Sequence, residues 1–303
     1  MKILLTGGTG YIGGALGEKL LARGHNVRLL VRRESADKVP AGSKYEVVLG
    51  DVLDSHACLR AVDGCEAVVH LIGIIREYPN DGVTYVAMHT EATFNMVDAT
   101  RRMGVERFVH MSALGARADA PSRYHTTKFE AESLVKDSNL RWTVFRPSVV
   151  FSPGSEFIRQ LVDLVHRPLV PLVGGGKALL QPVSLENLTD AMARSLSMPE
   201  TQGCSYDVGG PDRVKLADIL ERIARHYKVH PNTMKISPTF MKPVVRLMQR
   251  FDSFPLTVDQ LEMLVEDNVC DTSNFTSAFG IEELDSFEAA LPSMLEAIDV
   301  RAA

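Results

Sequence analysis

Short apolar runs alternate with longer stretches of helical period along the first half of the chain. Lys2-Ile3-Leu4-Leu5-Thr6 comes first. It is followed by Val27-Arg28-Leu29-Leu30-Val31, Tyr45-Glu46-Val47-Val48-Leu49, Ala67-Val68-Val69-His70-Leu71-Ile72, Arg107-Phe108-Val109-His110-Met111 and Trp142-Thr143-Val144-Phe145. Their length and β-branched content predict strands, and the unbroken fourth run predicts burial on both faces. Between them, helical spacing predicts a helix through Leu16, Leu20 and Leu21 to Gly24, and a short one from Asp54, a ready N-cap, to Val62. Two more run from Thr84 to Met103, stopped by Gly104, and from Arg123 to Ser138. This alternation predicts an α/β fold, a doubly wound parallel (Rossmann) sheet.

From about Val150 the rhythm changes. Pro153, Gly154, Pro168, Pro171, Gly174 to Gly176 and Pro182 break the chain into short helices and single short strands. The expected division is a Rossmann domain over 1–150 and a smaller α+β C-terminal lobe over 151–303, with room for some of its segments to return to the first domain. Gly174-Gly175-Gly176-Lys177 lacks the earlier glycine of a P-loop and has Ala178 where Ser or Thr is required, so it reads as a plain loop. In the stretch Phe240 to Phe251, Lys242, Arg246 and Arg250 recur every four residues on one helix face. Met241, Val244, Val245, Met248 and Phe251 fall on the other side. Such a helix can lie on an anionic membrane surface; the plainer expectation is that its apolar side packs on its own core.

Composition adds limits. At 303 residues, 45% hydrophobic and 23% charged, the chain has the make-up of an ordinary globular protein able to bury a large core. A net charge of -5 gives no electrostatic footprint for nucleic acid. Cys58, Cys65, Cys204 and Cys270 show no metal-ligand spacing and suit a reducing compartment; no metal is expected. The first strand starts at once, so no signal peptide is expected, and no run approaches the ~20 apolar residues of a membrane span. The expected location is cytoplasmic, with peripheral contact at the inner membrane left open.

The candidate chemistry begins directly after the first strand, at Gly7-Gly8-Thr9-Gly10-Tyr11-Ile12-Gly13. G-x-G-x-x-G between a strand and a helix binds a dinucleotide. The glycines permit a tight turn, close approach of a pyrophosphate and close helix–strand packing, and the helix N-terminus faces the phosphates. At the end of the second strand stand Arg32 and Arg33, with no acid in the place that would bind the ribose of NAD. A guanidinium there suits the 2′-phosphate, so NADP(H) is expected and NAD(H) is the alternative. Ligands of such sheets lie beyond the carboxyl ends of the strands. The expected cofactor contacts are accordingly Gly7, Thr9, Gly10, Tyr11, Ile12, Gly13, Arg32, Arg33, Asp51, Val52, Leu71, Gly73 and Pro147.

Tyr124 and Lys128, four apart at the start of the helix after strand five, share a helix face. An ammonium beside a phenol lowers its pKa and makes it a usable acid or base. The spacing alone is weak, since chance supplies about 0.25 such pairs in a chain of this composition. Its position just past strand five gives it weight.

These stretches, with Gly50-Asp51-Val52-Leu53-Asp54 and Arg146-Pro147-Ser148-Val149-Val150-Phe151, resemble the short-chain dehydrogenase/reductase superfamily in its extended or atypical branch, over nearly the whole chain. The runs His70 to Ile75, Val109 to Ala116, Leu179 to Leu188 and Leu264 to Val269 are more narrowly similar to the NADPH-binding accessory subunit of respiratory complex I and its bacterial relatives. The resemblance implies Tyr124 as acid/base, Lys128 on the nicotinamide ribose and a serine on the reacting oxygen. This sequence departs from the pattern at two points. The usual serine position falls on Ala113, with Ser112 one place early, and the asparagine common in the preceding helix is His89. A one-residue shift at a strand end turns a side chain to the other face. Ser112 or His89 is then the substitute polariser.

Three functions follow. The first is an NADP(H)-dependent oxidoreductase acting on a carbonyl, a hydroxyl or a quinone-related group of a small molecule. The second is a weakly catalytic or non-catalytic NADPH-binding protein tied to a respiratory complex or quinone metabolism. The third is a nucleotide-sugar epimerase or dehydratase.

Overall fold

Five of the six apolar runs form strands that reach at least to the end expected from the sequence, in a computed structural model that describes residues 1–249, 251, 254 and 256–298. They are β1 (Lys2–Thr6), β2 (Asn26–Val31), β3 (Glu46–Leu49), β4 (Ala67–His70), β5 (Arg107–Met111) and β6 (Arg141–Pro147). The exception is β4, which stops at His70 and leaves Leu71 and Ile72 in the loop beyond. The helices between them are α1 (Tyr11–Ala22), α2 (Ser55–Val62), α3 (Ala92–Arg102) and α4 (Arg123–Lys136). Asp54 caps α2 as expected, accepting from the His56 amide at 2.9 Å.

The helix expected from Thr84 to Met103 is two pieces. A π-helix over Val86–Glu91 runs straight into α3. A π turn inserts one residue and rotates everything before it, which a periodicity count cannot see. After β2 the chain forms a 3-10 helix over Arg33–Lys38.

The chain divides into two compact units. One comprises Met1–Arg146, Leu188–Asp207 and Asn274–Gly280; the other comprises Pro147–Asn187, Val208–Ser273 and Ile281–Ala303. The first holds a seven-stranded sheet in which the strand Cys204–Val208 is followed by β6, β5, β4, β1, β2 and β3. Each pairing from β6 to β3 is parallel. The strand order reverses at β1 and β4, and a doubly wound sheet opens its ligand crevice at that switch point.

One face of the sheet packs Leu4, Leu30, Val68, Phe108 and Val144 against Ala57, Ala61, Ala92, Met96 and Val135 from the helices. Arg28, inside an apolar run, is buried by giving its guanidinium to the Ala61 and Asp63 carbonyls that end α2 and to Glu46. Helix C-termini leave such carbonyls without partners, and a cation there is favourable.

In the second unit, helices Glu156–Val165, Leu216–His226 and Phe287–Glu296 share a core of Ile158, Leu161, Ile219, Ile223, Leu291 and Leu295. A smaller cluster of Val173, Val245 and Leu261 lies beside it. Gly174 to Gly176, read as a plain loop, form a single 3-10 turn in which all three have left-handed φ, between 59° and 73°. Among the described residues no helix is long and apolar enough to cross a membrane.

Candidate active site

β1 ends on Gly7, whose φ of 75° is the left-handed value that glycine adopts without penalty. The turn closes by the Gly10 amide donating to the Gly7 carbonyl at 3.0 Å, and α1 starts at Tyr11 with Gly10 as its N-cap. No side chain caps that helix, so its positive end is offered to an anion. A methyl group at Gly13 would stand 2.0 Å from the Gly7 carbonyl oxygen and 2.9 Å from the Gly8 Cα. Only glycine lets the helix start so close to the loop. On the other side of the crevice, Leu71 follows β4 with its backbone against Gly7. This cradle, closed to any Cβ and lined by backbone, fits a dinucleotide pyrophosphate. Thr9 and Ile12 are half-buried in it and Tyr11 is exposed.

Arg32 and Arg33 are exposed at the end of β2. The sequence reading took no acid to be near, but Glu34 pairs with the Arg32 guanidinium at 3.4 Å. An exposed pair of this kind is worth less than about 1 kcal/mol, so a phosphate can displace it. Asp51, past β3, accepts from the Leu53 amide at 2.9 Å. Val52 turns its side chain into the core, and its carbonyl takes the Asn95 amide at 3.0 Å. Pro147 closes β6.

The reaction end is built around Lys128. It is 3% exposed, and its ammonium donates to the Ile72 carbonyl at 3.3 Å, two residues past β4, and to the Met111 carbonyl at 3.2 Å, at the end of β5. Gly73 passes so close that a methyl there would lie 2.6 Å from Nζ. Burial lowers the Lys128 pKa from 10.5 to about 8. One turn earlier, burial pushes the Tyr124 phenol up to about 12. The expected lowering of the phenol by the ammonium is therefore not what this arrangement produces: Lys128 is committed to backbone carbonyls, and desolvation prevails. Tyr124 is thereby a phenol at neutral pH, a proton donor rather than a ready base.

His89 occupies the π-helix, 1% exposed, with Tyr85 stacked on one side and Tyr124 edge-on at 5.4 Å. Its Nδ1 meets the Thr127 hydroxyl at 2.8 Å, and its Nε2 meets the Ile74 amide and carbonyl at 3.1 Å. Both ring nitrogens are used, and burial, then Lys128, brings its pKa down to about 2. His89 is thus a neutral strut between α4 and the Gly73–Ile74 loop, not the substitute polariser. The sequence reading missed Tyr85 and Thr127, which have no motif of their own.

Ser112 follows the end of β5. Its hydroxyl is buried with no hydrogen-bond partner among the described residues, and Ala113 beside it is buried too. A second layer lies beneath Lys128: His70 and His110, paired in register on β4 and β5, stack at 5.7 Å. His70 Nδ1 meets the Thr6 hydroxyl at 2.7 Å, while His70 Nε2 and both His110 nitrogens have no hydrogen-bond partner among the described residues. Two histidines in otherwise apolar strands were the available signal. Burial brings His70 down to about 3 and His110 well below its usual value. Among the described residues no group of three His, Cys, Asp or Glu is placed to hold a metal.

Known proteins resemble the chain in sequence and in fold. The chain is 27% identical to the 3 beta-hydroxysteroid dehydrogenase/Delta 5-->4-isomerase of Mycobacterium tuberculosis, over 97% of its own length and 89% of the relative's. It is 22% identical to the mitochondrial NADH-ubiquinone oxidoreductase 40 kDa subunit of Neurospora crassa, over 92% and 75%. In fold it is similar to the dTDP-glucose 4,6-dehydratase from Streptomyces venezuelae solved with NAD and TYD bound, at a TM-score of 0.74 and 18% identity over 98% of this chain and 96% of that one. A sequence model described as NAD(P)H-binding matches residues 7–161, the span that runs from the glycine cradle past Lys128 and β6. The chain belongs to this NAD(P)H-binding family.

Proposed function

We propose that the chain is an NADP(H)-dependent oxidoreductase that reduces a carbonyl or quinone-type group on a small apolar molecule, or oxidises the corresponding hydroxyl. The observation that carries this reading is Lys128, a buried ammonium held by two backbone carbonyls one helical turn from Tyr124. Burying a cation without a carboxylate partner is costly, and such sites cluster where chemistry needs them. Bound NADPH would supply the hydride from its nicotinamide ring. Gly7 to Gly13 would hold its pyrophosphate, Arg32 its 2′-phosphate and Lys128 its ribose. Tyr124, protonated up to about 12, would give its phenolic proton to the oxygen that gains charge. Ser112 has left the usual serine position, so that oxygen has one side-chain donor fewer, a deficit that costs about 10²–10³ in rate elsewhere. The steroid-dehydrogenase name of one relative supports an apolar substrate.

The test is NADPH oxidation by the purified chain against a panel of aliphatic ketones, steroids and quinones. Turnover with at least one of them, lost in Tyr124→Phe while NADPH still binds, is the expected outcome. Absence of turnover across the panel, or a Tyr124→Phe variant as active as the parent, overturns it.

A second reading is favoured by the buried Ser112 hydroxyl and by the respiratory subunit among the relatives. It makes NADPH a fixed structural ligand in a protein of respiratory or quinone-linked assemblies. Native mass spectrometry separates the two: nucleotide retained through purification and never oxidised belongs to the second.

A further inference from the structure

The helix Pro238–Met248 packs only part of its apolar side on its own core, less than the plainer expectation had it. Only Val245 is fully buried, with Met241 beside it against Val173 and Leu261. Phe240 is 79% exposed, Leu247 61% and Val244 52%, with Met248 exposed as well. These positions are spaced by four, three and one residues and fall on one stripe of the helix. Phe251, just past the helix end and turned back by its amide onto the Met248 carbonyl, is 59% exposed and extends the stripe. Arg250 lies outside the described residues. Scattered exposed apolar residues mean nothing, but a contiguous stripe of this kind marks an interaction face.

Charge indicates the occupant. From Arg222 to Phe251 the chain carries seven lysines and arginines and no aspartate or glutamate. The rest has 26 basic against 38 acidic residues, so the protein as a whole does not attract an anionic surface. Some of these cations are engaged: Arg222 with Glu288, Arg225 with Glu221 and Lys242 with Glu262. Lys228, Lys235 and Arg246 are exposed and form no ion pair among the described residues. A protein groove would need complementary shape; a convex stripe of Phe, Val, Leu and Met in a segment free of acids matches a bilayer interface, where apolar side chains enter the headgroup boundary and cations meet anionic lipids.

We infer that the helix Pro238–Met248, with Phe251, docks the protein reversibly on an anionic lipid surface. This goes beyond the proposed oxidoreductase activity and stands or falls apart from it.

The test is flotation of the full chain with vesicles of equal parts phosphatidylglycerol and phosphatidylcholine, beside vesicles of phosphatidylcholine alone. Expected are binding to the anionic vesicles, weakening as salt is raised, and a fall of at least about tenfold per residue in Phe240→Ser and Leu247→Ser. Arg246→Gln should weaken binding less. Both apolar positions are exposed, so NADPH-dependent thermal stabilisation should be unchanged and reports intact folding. Failure of the parent chain to float with anionic vesicles overturns the inference. So does a concentration-dependent dimer that the same two substitutions dissolve while flotation persists, since the stripe would then be an interface between copies.

Discussion

Lys128→Met separates a residue kept for function from one kept for stability. The ammonium is almost fully buried, and burial lowers its pKa from 10.5 to about 8. At about 1.36 kcal/mol per unit, holding the charge there costs the folded state about 3 kcal/mol at neutral pH. Methionine removes that cost and fills nearly the same volume. It also leaves the Ile72 and Met111 carbonyls without the ammonium, at about 1 kcal/mol or somewhat more each. The terms nearly cancel, so urea unfolding at pH 7 should place the variant within about 2 kcal/mol of the parent. NADPH affinity, read by nucleotide fluorescence, should fall at least about tenfold, the loss of one charge-assisted hydrogen bond.

The pH dependence carries a sign. The unfolded chain holds the lysine proton up to about 10.5, whereas the folded chain releases it at about 8. Between those values the unfolded state binds more protons, so the parent gains stability as pH rises from 8 to 10.5, and below 8 the full cost is present. Lys128→Met should lack that gain. A variant destabilised by more than about 4 kcal/mol would show that the two carbonyls depend on the ammonium, contrary to the near-cancellation worked above. Unchanged NADPH affinity would place Lys128 outside the nucleotide site.

Three further outcomes follow from the same geometry. Gly13→Ala puts a methyl 2.0 Å from a backbone oxygen, so stability should fall by about 1–3 kcal/mol and NADPH affinity at least about tenfold, measured by urea unfolding and titration. Arg32→Ser should lower the preference for NADPH over NADH about tenfold by removing a guanidinium that only an exposed Glu34 competes for; an unchanged preference refutes the 2′-phosphate role. Finally, His70, His89 and His110 are buried neutral, while in the unfolded chain each takes a proton as pH falls through 6.5. Stability should therefore drop on acidification below 6.5, by about 1.4 kcal/mol per pH unit for each, and His110→Phe should make that slope about a third shallower.

How much of this was legible in the sequence depended on how local each cause is. The strand, glycine turn and helix of Lys2 to Ala22 are dictated by neighbours in the chain, and the structure has them where the pattern put them. The Asp54 cap is equally local. The π-helix around His89 was hidden because one inserted residue leaves the apolar spacing looking helical. The direction of the Tyr124 shift was hidden for another reason. Spacing brings Lys128 to the same helix face, but only the loop past β4 and the end of β5 reveal that its ammonium is already committed to carbonyls. The exposure of Phe240 and Leu247 is likewise tertiary: an apolar stripe reads the same in a sequence whether or not something covers it.

The first unit has a consequence for the order in which the protein is made. Its core includes Phe275 and Phe279, both fully buried, from the short return segment Asn274–Gly280. Phe279 packs on Phe145 and Tyr206 at ring distances of 5.7 and 5.1 Å. A nascent chain released only as far as the sixth strand therefore has its glycine cradle but an open aromatic wound behind β6, to be closed when residue 279 emerges. At about 5–20 residues per second that gap is on the order of ten seconds, a window in which the Phe145 side of the sheet lacks the aromatic cover it has in the finished fold.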